Sequence, residues 1–140
     1  MAIARPITKS IISTTAWGIP ITDQVNANTT DIAALKPSGW TGVTFSNGWN
    51  NMSGWSPVQY RKMGDMVYLR GNATGGTVGT VAFTLPVGFR PPGHLSFTIP
   101  MLTGSVWGFG YLEQLSTGVV YLYMGGNANV GINYSFSTTV

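Results

Sequence analysis

Between positions 21 and 35 one seam of residues recurs at intervals of four, three, four and three: Ile21, Val25, Asn28, Ile32 and Leu35. The spacing predicts a helix with a heptad seam, Val25 and Ile32 at a, Ile21, Asn28 and Leu35 at d. The other positions are polar or small: Gln24, Asn26, Thr29, Thr30, Asp31, Ala33 and Ala34. Asp23 suits the positive first turn, Lys36 the negative end, and Pro37 stops the helix. At ~1.5 Å per residue the helix is ~22 Å long. Two heptads are too few to hold a coiled coil alone. A larger oligomeric domain would have to hold the chains together, and Asn28 would then fix register and strand number at some loss of stability. The alternative is a single amphipathic helix lying on its own β-domain.

After Pro37 the period changes. Short apolar runs alternate with Gly, Asn, Ser and Pro. Residues 57–63 and 66–73 read as an antiparallel hairpin closed by Gly64-Asp65, with Val58, Tyr60 and Lys62 on one face and Gln59, Arg61 and Met63 on the other. Runs at 79–85, 94–100, 105–114, 118–124 and 130–137 bring the set to about seven strands. Their number and turn chemistry predict a mainly β protein, an antiparallel, jelly-roll-like β-sandwich. Three Gly-Trp pairs, at 39–40, 48–49 and 54–55, read as turns with anchoring indoles. Pro86, Gly88 and Pro91-Pro92 read as a rigid crossover. It sends Phe89 into the core and leaves Arg90 either solvated or paired with an acid of a neighbouring chain. The segment "NATGGTVGT" reads as a flexible hairpin tip, since it lacks the lysine of a phosphate loop.

Residues 1–19 have neither period. Pro6, Gly18 and the β-branched "SIISTTAW" disfavour a helix. Ile3, Ile7, Ile11, Ile12 and Trp17 form an apolar series, with Arg5 and Lys9 among them. The segment is either a disordered terminus or an extended arm that orders against another protein.

Composition narrows the partners. Charged residues are 8% of the 140 and hydrophobic residues 44%, with 19 glycines. A surface so poor in charge is covered by Ser, Thr, Asn and Gly or by other subunits. The net charge of +3 comes without a Lys/Arg run, which argues against nucleic acid as a partner. No stretch approaches the ~20 apolar residues of a membrane span. The opening "MAIARPITKS" lacks an apolar signal core, so assembly in the cytoplasm of the producing cell is expected.

Catalytic chemistry is thinly supplied. The acids are Asp23, Asp31, Asp65 and Glu113, the only histidine is His94, and there is no cysteine. Asp65 and Glu113 are the only acids of the β part available to form a carboxylate pair, and Asp65 reads better as a turn former. No GxSxG occurs and no metal-ligand cluster is spelled out. The expectation is a protein with no enzymatic activity, no cofactor and no metal.

Three motifs, "GWTGVTFSNGWNN" (39–51), "PVQYRKMGDMVYLRG" (57–71) and "FTLPVGFRPP" (83–92), resemble a series found in the C-terminal β-domains of virion structural proteins of tailed bacteriophages. The opening "MAIARPITK" with "TTAWGIPITDQVNANTTDIAAL" is similar to the start of small minor tail proteins of actinobacterial phages. The resemblance implies a homotrimer: an anchoring arm (1–19), a short helical neck (20–37) and a β-sandwich (38–140). Ile21, Val25, Asn28, Ile32 and Leu35 would line the trimer axis. Ile3, Arg5, Ile7, Ile11, Ile12 and Trp17 would dock to other virion proteins. A tail-tip or fibre position is the first reading, and capsid decoration or head fibre the alternative.

Host-surface glycan is a further candidate partner. Sugars stack their C–H faces on aromatic rings, and Trp107, Tyr111, Tyr121 and Tyr123 are placed to offer such rings. In "GVVYLYM" the alternation puts Tyr121 and Tyr123 on one face and Val120, Leu122 and Met124 on the other. The tyrosine face then meets solvent, a partner subunit or a ligand.

Overall fold

The computed structural model describes residues 21–123 and 125–140. The expected arm, with Ile3, Arg5, Ile7, Ile11, Ile12 and Trp17, and also Met124 and the side chain of Ile21, lies outside the described residues. The chain divides into two units between Lys36 and Pro37.

The first unit contributes helix α1, Ile21–Leu35, with Asp23 in its first turn. Val25, Ile32 and Leu35 are exposed, as is Asn28. Thr29 and Thr30 return their hydroxyls to the carbonyls of Val25 and Asn26, at 2.8 and 3.0 Å, so these polar side chains satisfy themselves on the helix surface.

The second unit is all β. A four-stranded sheet runs in the order β1 (Thr41–Gly42), β3 (Gln59–Met63), β4 (Met66–Arg70), β11 (Tyr134–Ser137). A seven-stranded sheet runs β2 (Asn50–Asn51), β5 (Asn72–Thr74), β10 (Asn129–Gly131), β7 (Leu95–Thr103), β8 (Val106–Gln114), β9 (Val119–Tyr123), β6 (Val81–Thr84). Every described pairing is antiparallel.

Both sheets turn alternate residues into one apolar core. Val67, Leu69 and Phe136 enter from the smaller sheet. Ala73, Phe83, Ile99, Met101, Leu112, Val120, Leu122 and Val130 enter from the larger. Each large aliphatic or aromatic side chain buried there contributes roughly 1.5–3 kcal/mol. The sheets are also joined by polar groups inside the core. The Tyr134 hydroxyl of β11 donates to Gln114 Oε1 of β8 at 2.8 Å, and the Phe97 and Tyr134 rings lie 4.4 Å apart. Burial pushes the Tyr134 phenol well above its ordinary pKa.

The β3–β4 hairpin forms as expected, Met63 opposite Met66, with Gly64 at φ 57 in the first turn position. "SNGW" closes another turn: Asn47 and Gly48 both have positive φ, and Trp49 N–H donates to the Ser46 carbonyl at 3.1 Å. Of the three Gly-Trp indoles only Trp49 is a core anchor; Trp40 is half-buried and Trp55 exposed.

Four expectations need correction. The expected strand 66–73 is two strands: the chain turns at Gly71, φ 121, and β4 and β5 belong to different sheets. A side chain at Gly71 would strike Val58, so only glycine permits the change of sheet there. The expected strand 130–137 divides likewise into β10 and β11. The strand expected to end at Pro100 continues to Thr103, because its β10 partner pairs only at Met101 and Leu102 and leaves the proline's edge free. Finally, "NATGGTVGT" is no hairpin tip. Gly75 N–H donates to the Asn127 carbonyl, the Asn127 amide to the Gly76 carbonyl, and Gly76 lies against the Trp49 indole where no Cβ fits.

Candidate functional site

The inward positions of β8 and β9 fix the outward ones. Leu112, Val120 and Leu122 are fully buried, so Trp107, Phe109, Tyr111 and Glu113 of β8 share the outer face with Tyr121 and Tyr123 of β9. The register sets Tyr111 opposite Tyr123 and Glu113 opposite Tyr121. The Tyr111 and Tyr123 rings stack at 4.9 Å and 20°, the Tyr121 and Tyr123 rings at 5.6 Å and 22°. Three of the four expected contact residues thus form a tyrosine stack, and Trp107 extends the same face toward the β7–β8 turn.

Sequence reasoning missed Phe109, the most exposed aromatic residue of this face at 79%. The signal was present in "VWGFGYLEQ". Gly108 and Gly110 alternate with Trp107, Phe109 and Tyr111, which face out; Gly110, opposite Ile99, is buried, whereas Gly108, opposite Met101, is itself exposed. Both faces of the outer end of β8, from Val106 to Phe109, are exposed, and its aromatic side chains are turned to solvent. Val106, the first residue of β8, is 72% exposed on the strand's other face. A contiguous exposed aromatic patch of this kind marks a place where something binds.

The polar group of the face is Glu113. Partial burial, then the Glu113 carboxylate, then Tyr111 and Tyr121, raise the Tyr123 pKa above its ordinary value. Tyr123 is therefore held as a neutral phenol beside the Glu113 carboxylate. The face offers ring surfaces for C–H stacking, phenol donors and one carboxylate acceptor.

Other candidates fall elsewhere. Asp65 sits in the β3–β4 turn and Glu113 on the larger sheet; His94 is exposed before β7. Arg90 is half-buried, and its Nε–H donates to the Leu85 carbonyl at 2.9 Å, which braces its own crossover. Phe89 is partly buried and meets Tyr60 edge to face at 4.9 Å. Among the described residues no three His, Cys, Asp or Glu side chains gather to hold a metal ion, and no helix is long and apolar enough to cross a membrane.

No family model and no curated protein sequence matches the chain. Solved structures do. The receptor binding protein (gp15) of Listeria phage PSA superposes with a TM-score of 0.59 at 17% identity, over 88% of this chain and 80% of that one. The head domain of the lactococcal phage bIL170, a receptor-binding domain, gives 0.52 at 14% identity, over 71% of this chain and 96% of that one. The chain shares its fold with these two phage proteins, and the expected β-domain finds its structural counterparts there.

Proposed function

We propose that the protein is a tail-borne attachment protein of a bacteriophage, and that the outer face of β8–β9 contacts glycan on the host surface. The observation that carries the proposal is the exposed aromatic series of β8, with Trp107, Phe109 and Tyr111 turned to solvent on a fold shared with phage receptor-binding proteins. Sugar rings would lie on the indole and phenyl faces, with Glu113 and the tyrosine hydroxyls accepting and donating hydrogen bonds. Such a protein binds and carries out no reaction. The receptor-binding neighbours favour the tail over the capsid.

The test is adsorption. The purified full chain should bind the cells that the particle infects and slow adsorption of intact phage. Trp107→Ala with Phe109→Ala should reduce that binding at least tenfold while the unfolding midpoint stays in place. Equal binding by the folded double variant would sink the assignment of this face.

We further assign the seam of α1 to the axis of a homotrimer, with residues 1–19 anchoring it to other virion proteins. Val25, Ile32 and Leu35 are apolar and exposed on the helix, and Asn28 occupies the polar d position that selects assembly. Sedimentation should give three chains per particle, and Asn28→Leu should raise thermal stability while broadening the oligomer distribution. A wild-type monomer at micromolar concentration would overturn the assignment. Deletion of 1–19 should leave an assembled trimer that is not incorporated into virions; normal incorporation would place the anchor elsewhere.

A further inference from the structure

The outer face of the four-stranded sheet carries a second cluster, which the glycan assignment leaves unused. Trp40 precedes β1, and the β1–β3 register places it beside Arg61. The Arg61 Cζ lies 4.6 Å from the Trp40 ring centroid and the Arg70 Cζ 4.0 Å from the same centroid. Arg61 also lies over Tyr68, at 5.8 Å. Arg70 Nη2 donates to Gln59 Oε1 at 3.0 Å. Two guanidinium groups are thus gathered on one indole. The ring attracts each of them, but their like charges repel.

The two acids of the β-unit, Asp65 and Glu113, do not offset that repulsion. Asp65 is four residues from Arg61 in sequence, ~13 Å along an extended strand. Glu113 belongs to the other sheet, beside Tyr123. The remaining cations of the β-unit are directed to backbone carbonyls: Lys62 Nζ to Gly88 at 3.0 Å and Arg90 Nε to Leu85 at 2.9 Å. Arg61 and Arg70 are the pair left facing outward. The Arg61 Nε–H is buried and has no hydrogen-bond partner, an unmet charged donor within the cluster.

We propose that Arg61 and Arg70, held on Trp40, form a binding site for phosphate, carried as a phosphodiester on an anionic polymer of the host surface. A carboxylate has two oxygens, which a single guanidinium fork fills. A phosphate group presents more oxygens and matches two forks arriving from different strands. An acid from a second copy of this chain is a poorer match, since the β-unit has only Asp65 and Glu113 to offer. The polymer source rests on the attachment function; phosphate binding itself does not.

The site is tested on the full chain by following the Arg61 and Arg70 Nε–H signals by NMR. The probes are inorganic phosphate and glycerol phosphate, with sodium acetate and sodium chloride at matched ionic strength as controls. Saturable shifts at millimolar phosphate, with less than a tenth of the effect in acetate or chloride, are expected. Arg70→Gln, at an exposed position that leaves the core intact, should weaken phosphate binding at least tenfold. Arg61→Lys should weaken it severalfold, because it keeps the charge and loses the fork. Trp107→Ala with Phe109→Ala should leave it unchanged. Shifts that follow ionic strength alone, or a folded Arg70→Gln that binds phosphate like the wild type, would overturn the site. A change in oligomer mass on Arg70→Gln would assign the face to a contact between copies and overturn the phosphate proposal. Full cell binding by the Arg61→Gln/Arg70→Gln double variant would overturn the polymer source and leave the role of Trp107 and Phe109 standing.

Discussion

The two sheets share one core and present opposite outer surfaces. The seven-stranded sheet exposes rings with little charge: Trp107, Phe109, Tyr111 and the tyrosines stacked behind them. The four-stranded sheet exposes charge mounted on a ring, Arg61 and Arg70 on Trp40. Inward-facing residues of both are mainly apolar and enter one core, so stability is common property. Outward-facing residues are particular to each sheet, and discrimination among ligands lies there. A fold of this kind can change what it recognises without renegotiating how it holds together.

The sharpest way to break the comparison is to ask whether the core is truly shared. Leu122→Ala removes a fully buried side chain from the larger sheet. It should cost about 2–5 kcal/mol. Denaturant unfolding should remain one transition by tryptophan fluorescence and by far-ultraviolet dichroism. Two separated transitions would mean that each sheet is stable by itself.

A smaller effect should come from the polar link between the sheets. Tyr134→Phe leaves Gln114 Oε1 buried without its donor and should cost about 1–3 kcal/mol. The same link has a pH signature. Burial raises the Tyr134 pKa in the folded protein, while the unfolded phenol titrates near ~10. The folded state thus holds a proton that the unfolded state releases. The stabilisation is complete below pH ~10 and is lost as pH rises above it, at up to ~1.4 kcal/mol per pH unit. Equilibrium unfolding between pH 8 and 11 should show this slope in the wild type and a shallower one in Tyr134→Phe. Equal slopes would assign the alkaline sensitivity to another tyrosine.

The least effect on stability should come from the two outer faces. Phe109→Ser and Arg70→Gln should each shift unfolding by no more than about 0.5 kcal/mol. A larger loss from either would show that its face supports the fold and would weaken its claim as a recognition surface.

What the sequence revealed follows the range of the interactions. The β3–β4 hairpin was legible because its turn, Gly64-Asp65, and its alternation are local. The tyrosine face was legible because Val120 and Leu122 had to go inward. The change of sheet at Gly71 was not, since a glycine between apolar runs reads as strand, bulge or turn until its neighbours are known. Phe109 was overlooked because apolar residues are assigned to the core by habit, whereas the alternation with Leu112 and Gly110 turns it outward. The Arg61–Trp40–Arg70 cluster was invisible for another reason. Its members come from three strand segments, and only the β1–β3 and β3–β4 registers bring them together. The Arg90 bond to the Leu85 carbonyl was not legible, because sequence does not advertise backbone partners.

After an early visit to the larger sheet at β2, the chain leaves the smaller sheet at Gly71 and returns only at Tyr134. The smaller sheet therefore joins β1, β3 and β4 to residues 134–137, which are made last in this stretch. While a ribosome is still adding the residues between, β4 has one edge open and half of the core lacks its covering sheet. Strand pairing over such separations is slow, and an open edge invites association with other nascent chains. The β-unit should thus fold after Ser137 has cleared the ribosome, in one late step, leaving a chaperone the interval of synthesis from β5 to β11 in which to act.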